Sequence, residues 1–402
     1  MEDAADCWGR PYNEVFGVLC KQIIKSVFGE IGFEVTKAVI NGCYDSSNQN
    51  TYDKLVAHGI IDGNDVRFDN VIFQLYFQIC VSYAKDFAVI PMDRALISLI
   101  IEKVLTSPFL NADKISSQIL LKNPGANKSR IDFLVNSLID RGVLVQTDGV
   151  EFNKSMFFYT IAVQTIKDEY QYMDSRVVKL ISALLSLNNT FDDFEFNPET
   201  IDCGLSAEEI DGVLSILSSN TIKLVDGNRV TIMNAMKLIR IRYVARLLAE
   251  IGYPEAKRVI NYLIKYPNTE YKCLLESLVL DIEKGTIALK KLEFLGVLEQ
   301  SRLGSAFHTS LVEPYTVWTI KYDTAIENSS SYLLGFISYL LNLIESKDIE
   351  EGKLRSTPES ELLKTELDRL KVIAEEREAA SKSLLDATRK FLIIHELQPL
   401  QV

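Results

Sequence analysis

The sequence has few histidines and no closely spaced pair of cysteines. Its three histidines lie far apart, and its six cysteines contain no Cys-x-x-Cys pair. Zinc ribbons and zinc fingers need such pairs at fixed spacing, so neither is expected. We therefore expect reduced cysteines in the core or on the surface, and a chain that uses no metal or other cofactor.

Long apolar runs and a surplus of basic residues are also missing. No run approaches the roughly 18 apolar residues that a membrane-spanning helix needs. The acidic start, MEDAADCWGR, lacks the apolar centre of a signal peptide. The formal net charge of −12 argues against a protein that wraps nucleic acid along its whole length, but local basic patches are compatible with it. These features predict a soluble intracellular protein that has no membrane partner.

The sequence also lacks the common catalytic motifs. The sequence contains no G-x-x-x-x-G-K-[ST] phosphate loop, no G-x-S-x-G elbow and no H-E-x-x-H pair. Asp192, Asp193 and Glu195 form the densest acidic cluster before the carboxy-terminal region. One-sided carboxylates hold Mg²⁺ poorly without a phosphate ligand, so we interpret this cluster as a solvated loop. The sequence predicts a protein that is not an enzyme.

What the sequence does contain is a repeated pattern of helices and short hairpins. Residues 130–152 show it most clearly, because apolar residues recur at helical spacing from Ile131 to Ile139. Gly142 suits a helix exit, and Asp148-Gly149 suits a two-residue turn between two short strands. A helix that leads directly into a small hairpin is the second half of a winged helix.

Three other stretches have the same order of elements. The predicted helix exits are Gly59, Gly142, Asn220 and Gly296, separated by 83, 78 and 76 residues (142−59, 220−142 and 296−220). This spacing predicts a mainly α fold with small β wings, consisting of four tandem winged-helix domains and a C-terminal helical hairpin or coiled coil. The predicted domains span residues 1–85, 86–172, 173–250 (with a connecting helix), 251–323 and 324–402.

After residue 323 the pattern changes to long helices. Residues 332–346 predict an apolar helix, residues 347–357 a charged linker, and residues 359–396 a second helix with heptad spacing. Arg377 interrupts the heptads at an inner position and is a candidate partner-binding residue. An antiparallel hairpin within the chain and a coiled coil with a partner both fit this pattern.

Short stretches spread along the chain carry a resemblance to a known family. They are Phe28-Gly29-Glu30, residues 55–60 (LVAHGI), residues 315–320 (YTVWTI), residues 342–345 (NLIE), and Leu385-Asp386 with residues 391–393 (FLI). In this order they resemble the third-largest subunit of eukaryotic DNA-directed RNA polymerase III, the tandem winged-helix member of its initiation heterotrimer. The agreement in order extends over essentially the whole chain.

The resemblance implies a non-catalytic subunit located in the nucleus. Such a subunit joins two smaller partner subunits on the clamp of the RNA polymerase III core, and it acts in initiation-factor recruitment and promoter DNA opening. One alternative is a general transcription factor IIE α-like protein, whose expected zinc ribbon the cysteine spacing excludes. Another is a cytoplasmic tandem winged-helix scaffold of the ESCRT-II type. This chain, with four predicted repeats and a long carboxy-terminal region, has more elements than that type.

Basic residues on the third helix of a winged helix indicate which repeats lie near DNA. Only the second and fourth repeats carry them, and the candidate DNA-proximal residues are Lys128, Arg130, Lys284, Lys290 and Lys291. The alternative for each set is a merely solvated helix face.

The connecting helix carries a second group of arginines. Arg240, Arg242 and Arg246 are candidates for contact with a partner's acidic surface or with DNA. They cannot all face the same way at 100° per residue, so the patch is diffuse. Trp318 lies in an alternating strand, which is more typical of half-buried packing than of a stacking platform.

Overall fold

The computed structural model describes residues 10–63, 65–88, 90–107, 110–172, 174–188, 190–219, 223–303, 315–356 and 363–397. The fold is mainly helical (71% helix, 8% strand) with small antiparallel sheets, which confirms the predicted class of helices with small β elements. The chain divides into two compact units. Unit 1 comprises residues 1–157 and 333–389, and unit 2 comprises residues 158–332 and 390–402. The five predicted domains stay a prediction.

Unit 1 begins with short helices and two hairpins. Its helices up to residue 157 are α1 (Arg10–Ile40), α2 (Gln49–Ala57), α3 (Phe68–Phe73), α4 (Phe77–Lys85), α5 (Asp93–Thr106), α6 (Ala112–Lys122), α7 (Lys128–Asp140) and the start of α8 (Lys154–Tyr170). Strands β1 (Ile61–Asp62) and β2 (Asp65–Val66) pair antiparallel, as do β3 (Leu144–Gln146) and β4 (Val150–Phe152). Helix α1 is broken at Gly29, whose φ of 74° is not helical.

Unit 2 contains the rest of α8 and two three-stranded sheets. Its further helices up to residue 294 are α9 (Ser175–Ser186), α10 (Ala207–Ser219), α11 (Ile232–Glu250), α12 (Ala256–Lys265), α13 (Tyr271–Ser277) and α14 (Ile282–Phe294). Its strands are β5 (Phe194–Glu195), β6 (Val225–Asp226), β7 (Arg229–Val230), β8 (Thr269–Glu270), β9 (Leu298–Leu303) and β10 (Tyr315–Ile320). The sheet orders are β5-β7-β6 and β8-β10-β9.

Helix α7 forms as its residue pattern predicts. The side chain of Asn127 caps its amino end by accepting a hydrogen bond from the backbone N–H of Arg130 at 3.4 Å. The apolar stripe is buried, and Gly142 leaves the helix with a φ of 71°. The predicted two-residue turn is wrong, because Gln146 pairs with Val150 and three residues connect the strands.

One backbone hydrogen bond recurs at the base of all four hairpins. In each, the residue after the return strand donates its N–H to the carbonyl of the residue before the first strand. The pairs are Arg67 to Ile60 (2.7 Å), Asn153 to Val143 (2.9 Å), Thr231 to Leu224 (2.8 Å) and Lys321 to Val297 (2.9 Å). We call this contact the ribbon closure. Its acceptors are 83, 81 and 73 residues apart (143−60, 224−143 and 297−224). The predicted exit Asn220 lies outside the described residues.

Three asparagine side chains, at or just before the start of the helix that follows a hairpin or within that helix, donate hydrogen bonds to the chain that leads into the same hairpin. The side-chain amide of Asn70 donates to the carbonyl of Gly59 at 2.7 Å, and that of Asn153 donates to Gly142 at 2.8 Å. Asn328 donates to Leu295 at 2.7 Å. Each amide thereby satisfies a carbonyl at a helix end that has no partner within the helix.

The carboxy-terminal helices are α15 (Tyr322–Arg355) and α16 (Lys364–Phe391), and a π-helical turn at Leu392–Glu396 follows. The predicted charged linker is wrong up to Arg355, because that stretch continues α15. Ion pairs join the parts of the two helices that lie in unit 1: Lys347–Glu376 (2.5 Å), Glu350–Arg369 (2.7 Å) and Glu351–Arg377 (2.6 Å). Early residues of one helix meet late residues of the other, so the helices form an antiparallel hairpin within the chain.

The core of unit 2 includes two residues that follow α16. Ile393 and Leu397 are fully buried against the apolar residues of α9, α10 and α11. In unit 1, a cluster of aromatic rings joins α3 and α4 to the second hairpin through Phe73, Tyr83, Phe152 and Phe157.

Candidate partner-binding surface on helix α14

Helix α14 packs on unit 2 through one face that requires a glycine. Gly285, Leu289 and Leu292 are buried at positions i, i+4 and i+7. A Cβ atom at Gly285 would lie 2.3 Å from Cδ2 of Leu275, so only glycine permits this close approach to α13. These three buried residues define the inward face of α14, and the opposite face turns outward.

The outward face alternates basic and apolar residues. Lys284, Ile287, Lys291 and Phe294 follow one another at i, i+3, i+7 and i+10, so they form a single stripe. The side chain of Phe294 is 92% exposed and that of Ile287 is 48% exposed. We call these four residues the α14 stripe.

A shallow groove runs beside the stripe. Tyr253, on the turn between α11 and α12, forms its other wall, and the groove encloses about 350 Å³ between Tyr253, Ile287 and Phe294. A second depression of about 180 Å³ shares Tyr253, Ile287 and Lys291 and extends to Lys284 and Glu255. The surface that a ligand meets is mostly apolar, with lysines along its edge.

Lys290 is placed differently from its neighbours. Its ammonium group donates to Glu293 and to Gln300, both at 2.8 Å, and lies 5.5 Å from the centre of the Trp318 ring. Within the described part of the chain, Lys284 and Lys291 have no such ion pair. Trp318 itself is 2% exposed, so its ring packs in the core and offers no open stacking face.

The candidate residues of the second repeat are held by carboxylates. The guanidinium of Arg130 pairs with both oxygens of Asp93, whose side chain is only 7% exposed, and this pairing raises the pKa of Arg130. The ammonium of Lys128 lies 3.5 Å from the carboxylate of Asp113. Lys128 is half-exposed and is the more accessible of the two cations.

The three arginines of α11 point in two directions. Arg242 and Arg246 both pair with the buried carboxylate of Glu169 on α8. Arg240 is 7% exposed, and its Nε donates to the carbonyl of Ile394 at 2.6 Å. Burial lowers the pKa of Arg240 to about 10. The structure thus uses these candidate partner-binding residues in contacts within unit 2.

Arg377 also has partners within the chain, since its guanidinium contacts Asp348 at 3.1 Å and Glu351 at 2.6 Å. In the acidic loop, Asp193 pairs with Arg229 at 3.2 Å. Among the described residues, no group of three His, Cys, Asp or Glu side chains is arranged to hold a metal ion. No helix of the described ranges is both long and apolar enough to cross a membrane.

Sequence reasoning found the lysines of the α14 stripe but missed Tyr253, Ile287 and Phe294. A signal was present, because Ile287 and Phe294 are apolar on the face opposite the buried positions of α14. Comparison of the chain with known protein families and with curated proteins gives no match.

Proposed function

We propose that the chain is a tandem winged-helix protein that acts as a non-catalytic subunit of an RNA polymerase III transcription complex. The proposed partners are the polymerase core, two smaller subunits of an initiation heterotrimer, initiation factors and promoter DNA. The proposed location is the nucleus. The role is to hold these partners together during initiation-factor recruitment and promoter opening.

The observation that carries the proposal is the fourfold ribbon closure. A helix, a two-stranded ribbon and a following helix recur four times, joined by the same backbone hydrogen bond in segments of unlike sequence. The third strands β5 and β8 add to two of these ribbons. In the second repeat, the carbonyl of Leu110 accepts from Val150 at 2.9 Å in the corresponding place. This order of elements supports the proposed winged-helix repeats.

The internal pairing of arginines supports a structural role for much of the charge. Arg240, Arg242 and Arg377 contact groups of the same chain, and ion pairs within the chain join α15 to α16.

We place promoter DNA near Lys128 and Arg130 within this proposal. The first turn of α7 contains no acidic residue, and its backbone N–H groups favour an anion. The first turn of α14 contains Glu283, which repels phosphates. Lys284, Lys290 and Lys291 are therefore the second choice for DNA contact.

Purification of the native protein through a tag on its own chromosomal copy tests the proposal. We expect the largest polymerase III subunits and two smaller proteins to co-purify in fixed stoichiometry from a nuclear extract. A second strain with a tagged, unrelated nuclear protein serves as the control. Recovery as a free monomer, or only with cytoplasmic membrane-trafficking complexes, would overturn the proposal.

A further inference from the structure

The exposed face of α14 carries apolar side chains whose exposure to water is unfavourable. Phe294 is 92% exposed, and Ile287 and Tyr253 extend its apolar surface along the groove. Contiguous apolar surface edged by polar groups is typical of protein–protein contact sites. Aromatic residues at the centre of such a surface commonly contribute most of the binding energy.

The charge of this face is opposite to that of the whole chain. The formal net charge is −12, but Lys284 and Lys291 stand at the edge of the groove without a partner in the described ranges. The carboxylate of Glu293 is already paired with Lys290, while Glu255 lies at one end of the second depression. Two cations therefore remain for the carboxylates of a ligand.

We propose that the α14 stripe and Tyr253 bind a short acidic segment of a partner protein that carries apolar side chains between its carboxylates. The apolar side chains lie in the groove against Phe294, Ile287 and Tyr253. The carboxylates pair with Lys284 and Lys291. Complementary charge at the edge sets the orientation of such a segment and speeds its association.

Nucleic acid fits this face less well. A phosphate backbone would cover the apolar floor without replacing its water by apolar contacts. Trp318, whose ring lies 5.5 Å from the ammonium of Lys290, is buried and cannot stack on a base. The inference rests on the geometry of α14 and goes beyond the proposed complex, so it stands or falls independently of that complex.

Fluorescence anisotropy with a defined peptide tests the proposal on the full-length protein. The probe is a labelled 16-residue peptide made of two copies of EFDELLDE. Two matched peptides replace either its acidic residues by lysine or its apolar residues by serine, and a labelled 20-base-pair DNA duplex is the fourth probe. We expect saturable binding of the first peptide, at least tenfold tighter than that of the two matched peptides, and we expect any binding of the duplex to be independent of Lys284 and Lys291.

Variants then assign the binding to this face. Phe294→Ala, and Lys284→Glu combined with Lys291→Glu, are each expected to weaken peptide binding about tenfold or more. The matched controls are Tyr172→Ala, at a residue that is 90% exposed elsewhere in unit 2, and Lys223→Glu combined with Lys272→Glu. The controls should leave the affinity within about twofold. These substitutions are on the surface, and an unchanged circular dichroism spectrum will verify folding.

Each other result overturns the proposal. No saturable binding of the acidic peptide, equal binding of the lysine or serine peptide, or duplex binding that Lys284→Glu combined with Lys291→Glu abolishes, contradicts the proposed ligand class. If Phe294→Ala and the double lysine reversal both leave peptide binding unchanged, the peptide binds to another surface.

Discussion

Val279 adopts a backbone conformation that its branched side chain disfavours. Its φ is 50°, in the left-handed region, and its side chain is 87% exposed. It stands just after α13, and its N–H donates to the carbonyl of Glu276 at 3.0 Å. Glycine is the preferred residue at such a helix exit.

Val279→Gly is therefore expected to increase the free energy of unfolding of unit 2 by about 1 kcal/mol, because strain is relieved and little buried surface is lost. Trp318 fluorescence during urea unfolding, in a Trp8→Phe background, measures the change. Ile216→Gly is the control, since Ile216 is also an exposed residue of unit 2 but lies inside α10, where glycine should destabilise. A decrease in stability for Val279→Gly would contradict the assigned strain.

Arg240 and His395 both lie beside the π-helical turn at Leu392–Glu396. The ring of His395 stacks on Phe391 at 5.0 Å between centroids, next to the carbonyl that accepts from Arg240. Burial, together with the positive charge of Arg240, lowers the pKa of His395 from 6.5 to about 4. Asp323 and Glu396 provide the opposing negative charge around Arg240.

The docking of the π-helical turn should weaken as the pH falls from about 6.5 to about 4. Over this window the unfolded segment binds a proton that the folded segment excludes, so stability rises with pH and falls with acid. The effect is at most about 3 kcal/mol, because the pKa of His395 is lowered from 6.5 to about 4. Hydrogen exchange of peptides covering residues 390–397 measures it. His395→Gln should flatten the pH dependence in this window, and an equal slope in both proteins would contradict the assignment.

The ion pairs of single residues are the part that sequence reasoning could not predict. Arg130 pairs with Asp93 at a separation of 37 residues, and Arg246 pairs with Glu169 at a separation of 77. Nothing within a local window of sequence indicates such partners, because packing of distant helices brings them together. The sequence shows which side chains are basic, but it does not show which of them are free of internal ion pairs and can bind a ligand.

At the scale of elements, the glycines that end α7 and α14 before their ribbons differ in how closely other atoms surround them. Gly142 and Gly296 both have a φ of 71°. A Cβ atom at Gly142 would meet no atom within 4 Å, whereas one at Gly296 would lie 2.7 Å from Nδ2 of Asn328 and 2.9 Å from Cγ2 of Thr324. Asn328 is the residue whose amide satisfies the carbonyl of Leu295.

Gly142→Ala should destabilise its ribbon by about 1 kcal/mol through left-handed strain alone. Gly296→Ala should cost more, about 2–3 kcal/mol, because displacement of Asn328 also removes its hydrogen bond. Hydrogen exchange of the β3–β4 and β9–β10 ribbons measures both changes. Equal losses at the two sites would show that the contact with Asn328 does not matter.

Long periodic elements were predictable, and very short ones were not. Helix α7 contains the predicted apolar stripe that begins at Ile131, and α15 covers the predicted apolar helix at residues 332–346. Strands β5 and β8 are two residues long, too short to show any period. The segment from residue 347 was wrongly predicted as a linker because it is rich in charged residues. It is helical in the structure, where its charged side chains form ion pairs with residues 369–377 of α16.

At the scale of the whole molecule, contact with promoter DNA can be tested by reversing one charge. Lys128→Glu should reduce cross-linking of the chain to promoter DNA in the assembled complex by severalfold, because a phosphate contact is lost. Arg130 is not used, since its removal would leave the buried carboxylate of Asp93 without a partner.

Lys291→Glu is the matched control for this experiment. It reverses an exposed lysine of the α14 stripe and should leave the cross-linking unchanged. Cross-linking that is lost with Lys291→Glu and kept with Lys128→Glu would move the DNA contact to α14. It would also contradict the acidic segment proposed for that face.

The sequence by itself determined the local plan of this protein. Helical spacing, glycine exits and hairpin turns are encoded within a few neighbouring residues, so the order of helices and ribbons could be derived without coordinates. Tertiary structure alone decided which charges are available. It pairs Arg130, Arg242 and Arg377 internally and turns Lys284, Lys291 and Phe294 outward, because the approach of α14 to α13 at Gly285 sets the exposed face. The accessibility of a side chain depends on contacts between residues far apart in the chain, and local patterns carry no record of those contacts.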